Sequence, residues 1–264
     1  MTMSSQDAAI PVDFGLASAD YATHRQGFPP AFFEELERLG LAQPGDQAND
    51  VGTGTGLLAR ALAGRGCRVT GLDPSQAMLD QARQADAAAG AGVDYRLGRA
   101  EATGLPDAAF DLVTAATCWH WFDRAAPARE ARRLLKPAGR LLIAQLDWQR
   151  VPGNVIDLTV ETINRFANDG SHPGVLSYQH PAWTFELTQA GFSHHRIFGF
   201  TASLTYTREA WRGRVRASAR VGPSMAPATL AAFDRAFGDA LRDAFPTEPL
   251  SVDHRVFTVV AWGD

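Results

Sequence analysis

Residues Asn49–Leu62 read NDVGTGTGLLARAL: an acid at the end of an apolar run, three alternating glycines, then a helical pattern. Glycine lacks Cβ, so Gly52, Gly54 and Gly56 permit turns, and an approach of a ligand to the backbone, that other residues forbid. Outward from this loop, strand and helix signals alternate. QANDV (47–51) reads as a strand, GLLARALAGRG (56–66) as a helix with a glycine stop, and CRVTGLD (67–73) as a second strand. PSQAMLDQARQADAAAG (74–90) is a run of good helix formers with Pro74 at its start and Gly90 at its exit. VDYRLG (93–98), FDLVTAAT (110–117) and GRLLIAQL (139–146) are further strands, and RAAPAREARRLLKPAG (124–139) is a helix that Pro137 and Gly139 should end. This alternation predicts an α/β fold, a parallel sheet covered on both faces with ligands at the carboxyl ends of its strands.

Composition narrows the function. A chain of 264 residues, 45% hydrophobic, can bury a substantial core and suits one domain with insertions, 1–264. A net charge of -4 supplies no basic field for nucleic acid or an anionic membrane. Two cysteines are too few for a disulfide framework, no apolar run is long enough to span a bilayer, and MTMSSQDAAIPVDFG lacks the pattern of a secretory signal. The expected location is the cytoplasm.

Beyond Asp147 the rhythm changes. VIDLTVETINRFAN (155–168) reads as a helix, AWTFELTQAG (182–191) as another, FSHHRIFGF (192–200) as a strand, 201–250 as mostly helical, and VDHRVFTVVAW (252–262) as a closing strand rich in β-branched residues. Connections this long are rarely plain loops, so 148–180 and 201–250 are expected to be cap insertions on a 45–147 cofactor-binding core.

The glycine loop discriminates among ligands. A dinucleotide fingerprint would place its third small residue at Leu57, and Asp50 beside a pyrophosphate would be costly; both count against a nicotinamide oxidoreductase. A cationic ligand suits Asp50. S-adenosylmethionine, with an ammonium, a sulfonium and no phosphate, fits, and needs a second acid for its ribose. Asp73, at the end of the second strand, can accept both ribose hydroxyls.

The run Asn49–Leu146 resembles the class I S-adenosylmethionine-dependent methyltransferases, and more narrowly the type 11 branch, to which quinone-biosynthesis and trans-aconitate methyltransferases are similar. The resemblance implies a Rossmann-like, seven-stranded, mostly parallel sheet with helices on both faces and an antiparallel last strand. It also implies methyl transfer from S-adenosylmethionine to a small-molecule acceptor, with S-adenosylhomocysteine as product. Carried over by residue, Asp50, Gly52, Thr53, Gly54 and Gly56 line the methionine moiety, and Asp73 binds ribose. Pro74, Ser75 and Met78 flank adenine, Ala100 and Glu101 sit at its polar edge, and Thr117 closes the fourth strand beside the cofactor. In ADYATHRQGFPPAFFEEL (19–36), Tyr21 and Arg25 would close over the cofactor, Arg25 near its carboxylate.

A sulfonium methyl is already activated, so the site needs chiefly a positioned nucleophile and exclusion of water. Trp119, Trp121 and Phe122 in TCWHWFD offer aromatic walls, and His120 is the candidate general base for a hydroxyl or protonated amine. Cys118 lacks the context of a thiol nucleophile. His194 and His195 point to opposite faces of a strand, and His172 and His180 lack a ligand pattern around them, so no metal is expected. On a helix, Arg212, Arg216 and Arg220 form one stripe, with Arg214 on another face; Arg216 is the candidate clamp for an acceptor carboxylate. The rival of a different class is a protein that binds the cofactor without turnover.

Overall fold

The computed structural model describes residues 23–167, 181–222 and 224–263. Tyr21, His172 and His180 lie outside the described residues. The order of elements is α1 (Pro30–Arg38), β1 (Gln47–Val51), α2 (Leu57–Ala63), β2 (Arg68–Asp73), α3 (Gln76–Ala89), β3 (Asp94–Leu97), β4 (Phe110–Ala116), α4 (Ala125–Leu134) and β5 (Leu135–Trp148). Then follow α5 (Val155–Phe166), α6 (Pro181–Gln189), β6 (His194–Tyr206), α7 (Arg208–Arg216), α8 (Pro227–Ala244) and β7 (Leu250–Trp262).

The strands form one sheet in the order β3-β2-β1-β4-β5-β7-β6. β1 to β5 pair in parallel, and β7 runs antiparallel to both β5 and β6. This is the expected seven-stranded α/β sheet, and β7 is its reversed strand. In β5, Leu142 and Ala144 join the core under α1, α2 and α3, while Leu141 and Ile143 join the core under α4 and α6. Alternate residues of a strand face opposite sides, so a sheet covered on both faces needs the continuous apolar run seen here. A third cluster, with Trp211, Phe233, Phe237 and Ile156, joins α5, α7 and α8 to the ends of β5, β6 and β7.

Three elements differ from the expectation. α4 ends at Leu134, and Lys136–Gly139 already runs extended at the start of β5. The register shifts between Phe110 and Leu112 there, and a Cβ on Gly139 would meet the Phe110 carbonyl at 3.0 Å, so this glycine admits a close strand crossing rather than capping the helix. β5 also continues through Asp147 and Trp148, held by pairing with Arg255 and His254 of β7. Residues 201–206, expected as the start of a helical stretch, complete β6, because β7 offers partners as far as Tyr206. Among the described residues no helix is long and apolar enough to cross a membrane.

Candidate active site

The carboxyl ends of β1, β2, β4 and β5 open on a cavity of about 490 Å³, and a recess of about 40 Å³ adjoins it, sharing Arg25, Gly52 and Thr117. Asp50 lines the recess. Its side chain is fully buried and accepts hydrogen bonds from the hydroxyls of Thr114 on β4 (2.5 Å) and Thr53 (2.7 Å). Burial pushes its carboxyl up to about 6, against the pull of the two hydroxyl donors.

The glycines behind Asp50 divide their work. Gly52, at φ +64°, and Gly54 line the main cavity, and a Cβ on Gly52 would sit 2.8 Å from Cys118 Sγ. Gly56, at φ +75°, is the N-cap of α2, packed against the Tyr95 ring and absent from the lining. It starts the helix. The Gly54 amide donates to Asp73 (2.8 Å), as does the Ser75 amide (2.9 Å). Asp73 thus straps two loops together at the cavity wall, its carboxyl raised by burial and lowered in part by these amides. Pro74, Ser75 and Met78 line the same wall, where Ser75 caps α3 by accepting from the Met78 amide (3.4 Å).

Ala100 and Glu101 do not reach the cavity. A tight bridge between Arg99 and Ala102 turns Ala100 into the core, and Glu101 pairs with Arg99 (3.4 Å). After β4, Thr117 adopts φ +57°, an uncommon conformation for a β-branched residue, with its amide donating to Ala144 (2.7 Å) and its hydroxyl accepting from Arg25 (2.6 Å). The half-buried Cys118 thiol donates to the Val51 carbonyl (3.2 Å), and the loss of solvent around it holds its pKa well above the usual thiol range, so it stays protonated.

Trp119–Trp121 is one turn of 3₁₀-helix. With three residues per turn, successive side chains leave in different directions. Trp119 goes into the core edge-on to Phe122 (5.8 Å) and is no part of the cavity wall, whereas His120, Trp121 and Phe122 are. The expected clamp is also displaced. Arg216 turns to Asp234 on α8 (3.0 Å), and Arg212 pairs with the same carboxylate; Arg220 lies past the end of α7. Arg214 is the arginine of α7 that lines the cavity, its guanidinium 5.2 Å over the Trp148 ring.

Gln145, Asp147 and Trp148, at the carboxyl end of β5, were not anticipated and also line the cavity. The Gln145 amide nitrogen lies 3.3 Å from His120 Nδ1, and Asp147 accepts from Arg255 (3.1 Å). Burial raises the Asp147 carboxyl, opposed by that guanidinium. Polar residues at i and i+2 in an otherwise apolar strand were the available signal. The segment before α1 closes one side, with Arg25 on the wall, Gln26 donating to the Thr205 carbonyl (2.7 Å) and the His24 ring packed on Gly213 of α7.

Residues 49–143 match the type 11 family model described as a methyltransferase domain. An uncharacterized methyltransferase of Mycobacterium tuberculosis is 35% identical over 162 residues, which cover 59% of this chain and 63% of that protein. The malonyl-[acyl-carrier protein] O-methyltransferase of Serratia marcescens is 38% identical over 131 residues, 46% of this chain and 50% of that protein. The chain thus spans less than two thirds of the length of either relative. Among solved structures, a putative type II methyltransferase from Anaeromyxobacter dehalogenans superposes with a TM-score of 0.62 at 23% identity, covering 90% of this chain and 97% of that one. That likeness speaks to the fold. Taken with the strand order, it gives this chain the fold of that structure, and the stretch that begins at the loop behind Asp50 is similar to the type 11 methyltransferase domain.

Proposed function

We propose that this chain transfers the methyl group of S-adenosylmethionine to a small-molecule acceptor bearing a carboxylate. The observation that carries this reading is the placing of charge along one cavity system. Asp50 and Asp73 stand at the β1–β2 end, with Arg25 lining both the recess of Asp50 and the main cavity, while Arg214 stands on the wall supplied by α7, in the same cavity as Asp147. A ligand with an ammonium and a ribose suits the first end, since Asp50 offers charge and Asp73 is an acceptor beside backbone amides. When bound, S-adenosylmethionine supplies an electrophilic methyl group. Trp121 and Phe122 give the cavity aromatic walls, and Arg25 is suited to the carboxylate of the methionine moiety.

The cluster of α5, α7 and α8 serves in this reading as the cap that shapes the acceptor side, within 148–180 and 201–250. Support for a carboxylate comes from Arg214, which the face of Trp148 orients toward the cavity, and from a relative named for O-methylation of a malonyl group. Calorimetric titration tests the cofactor assignment: saturable binding of S-adenosylhomocysteine without binding of NAD is expected, and binding of NAD alone overturns it. Arg214→Met tests the acceptor. With a panel of small carboxylic acids assayed by S-adenosylhomocysteine release, the variant should raise KM at least about tenfold for any acid that turns over, at an unchanged affinity for S-adenosylhomocysteine. Turnover of neutral acceptors alone, or an unmoved KM, defeats the carboxylate assignment.

A further inference from the structure

We propose that Gln145 is a positioning residue that fixes the tautomer of His120, so that His120 faces the acceptor as a hydrogen-bond donor and not as a base. The inference rests on the methyl-transfer reading for its meaning, but its physical content concerns two side chains of this protein. Gln145 is 1% exposed and sits on β5 between β4 and β7, opposite Phe257. Its amide nitrogen lies 3.3 Å from Nδ1 of His120, whose ring leans on Trp121 at 5.0 Å and lines the cavity.

An amide NH₂ donates and cannot accept. Nδ1 must therefore present its lone pair, and the single proton of a neutral imidazole resides on Nε2. To take a proton at Nε2, the ring would first have to move its own proton to Nδ1, against the NH₂ of the buried Gln145. His120 is thus poor at deprotonating an alcohol or an ammonium and good at holding an oxygen anion.

The consequence is a choice of acceptor atom. A carboxylate, with a pKa near 4, arrives ionised at neutral pH and needs no base. One of its oxygens forms the new O–CH₃ bond with its own lone pair while the S–CH₃ bond breaks, its electron pair staying on sulfur. No proton moves, and His120 keeps its Nε2 hydrogen throughout. Gln145 acts one step removed, by choosing which face of the imidazole carries the hydrogen.

The test is long-range ¹H–¹⁵N correlation spectroscopy of the full chain labelled with ¹⁵N-histidine, without substrate, at pH 7.5. The His120 signals are assigned by their loss in His120→Gln. The wild type should show an unprotonated Nδ1 and a protonated Nε2. Gln145→Met, which keeps the volume and removes the donor, should give averaged shifts from mixed tautomers. Gln145→Glu, whose carboxylate accepts from Nδ1–H, should reverse the order or yield imidazolium. A wild-type spectrum with the proton on Nδ1, a doubly protonated ring, or a Gln145→Met spectrum identical to the wild type overturns the proposal. The wild type and Gln145→Met decide the matter even if the buried glutamate unfolds the chain. Because the readout needs no turnover, failure here is distinguishable from failure of the methyl-transfer reading.

Discussion

Asp73→Ala should weaken binding of S-adenosylhomocysteine about 100-fold or more. A hydrogen bond to a charged group is worth roughly 1.5–3 kcal/mol, and two ribose hydroxyls on one carboxylate amount to about 3 kcal/mol even at the low end, or two powers of ten in Kd. The side chain also accepts from the Gly54 and Ser75 amides, so its loss loosens the glycine loop and the start of α3 together. Asp73→Asn keeps an acceptor oxygen while losing the charge, and should fall between alanine and the wild type. Calorimetry on variants whose circular dichroism matches the wild type measures the effect. An affinity unchanged by alanine would remove Asp73 from the binding site.

Asp50→Asn should make the protein more stable at neutral pH while weakening the cofactor. The folded carboxyl titrates near 6, and the unfolded one near its ordinary 3.8. The folded state therefore holds this proton more tightly, and ionising the group costs stability. The Asp50 contribution falls as pH rises from about 4 to about 6 and is flat above. Two units correspond to on the order of 3 kcal/mol for so buried a group. An amide avoids that cost and can still bond to Thr53 and Thr114, so a gain of about 1–2 kcal/mol, or several degrees in Tm, is expected at pH 7.5 and should vanish near pH 4. Thermal melts of both proteins across that range measure it, and a gain that does not shrink with acidification refutes the account. Binding of a cationic ligand should run the opposite way, strengthening in the wild type as pH rises through 6 and staying flat in Asp50→Asn.

How far the sequence foretold this site depends on whether a side chain's direction follows from local spacing. The alternation around NDVGTGTG marks the β1 turn because a glycine is needed where Cβ would strike Cys118, and the acids at the ends of β1 and β2 follow from strand period alone. The third glycine was harder: Gly56 meets Tyr95, a contact from β3 that no local pattern reveals. Trp119 and Trp121 flank one histidine, yet only the second reaches the cavity, since a single 3₁₀ turn breaks the two-residue period of the strand before it. Arg214 and Arg216 likewise differ by the partner that α8 supplies through Asp234, a tertiary fact. Gln145 and Asp147 were legible in principle. Gln145 lay inside the strand as read and passed for a core position, whereas a strand read to end at Leu146 left Asp147 out, because the pairing that extends β5 comes from residues more than a hundred positions later.

That late pairing bears on how the protein is made. β6 has β7 as its neighbour in the sheet, and β7 follows it in the chain by more than forty residues. During vectorial synthesis, the half of the sheet that presents Asp50 and Asp73 can form while β7 is still inside the ribosome. The half that presents Arg214, and the Arg255 that steadies Asp147, waits for Leu250–Trp262 to emerge and slide between two strands already made. A ribosome-bound chain arrested before Leu250 would thus hold the end of the cavity that carries Asp50 and Asp73 without the framework of the wall that carries Arg214.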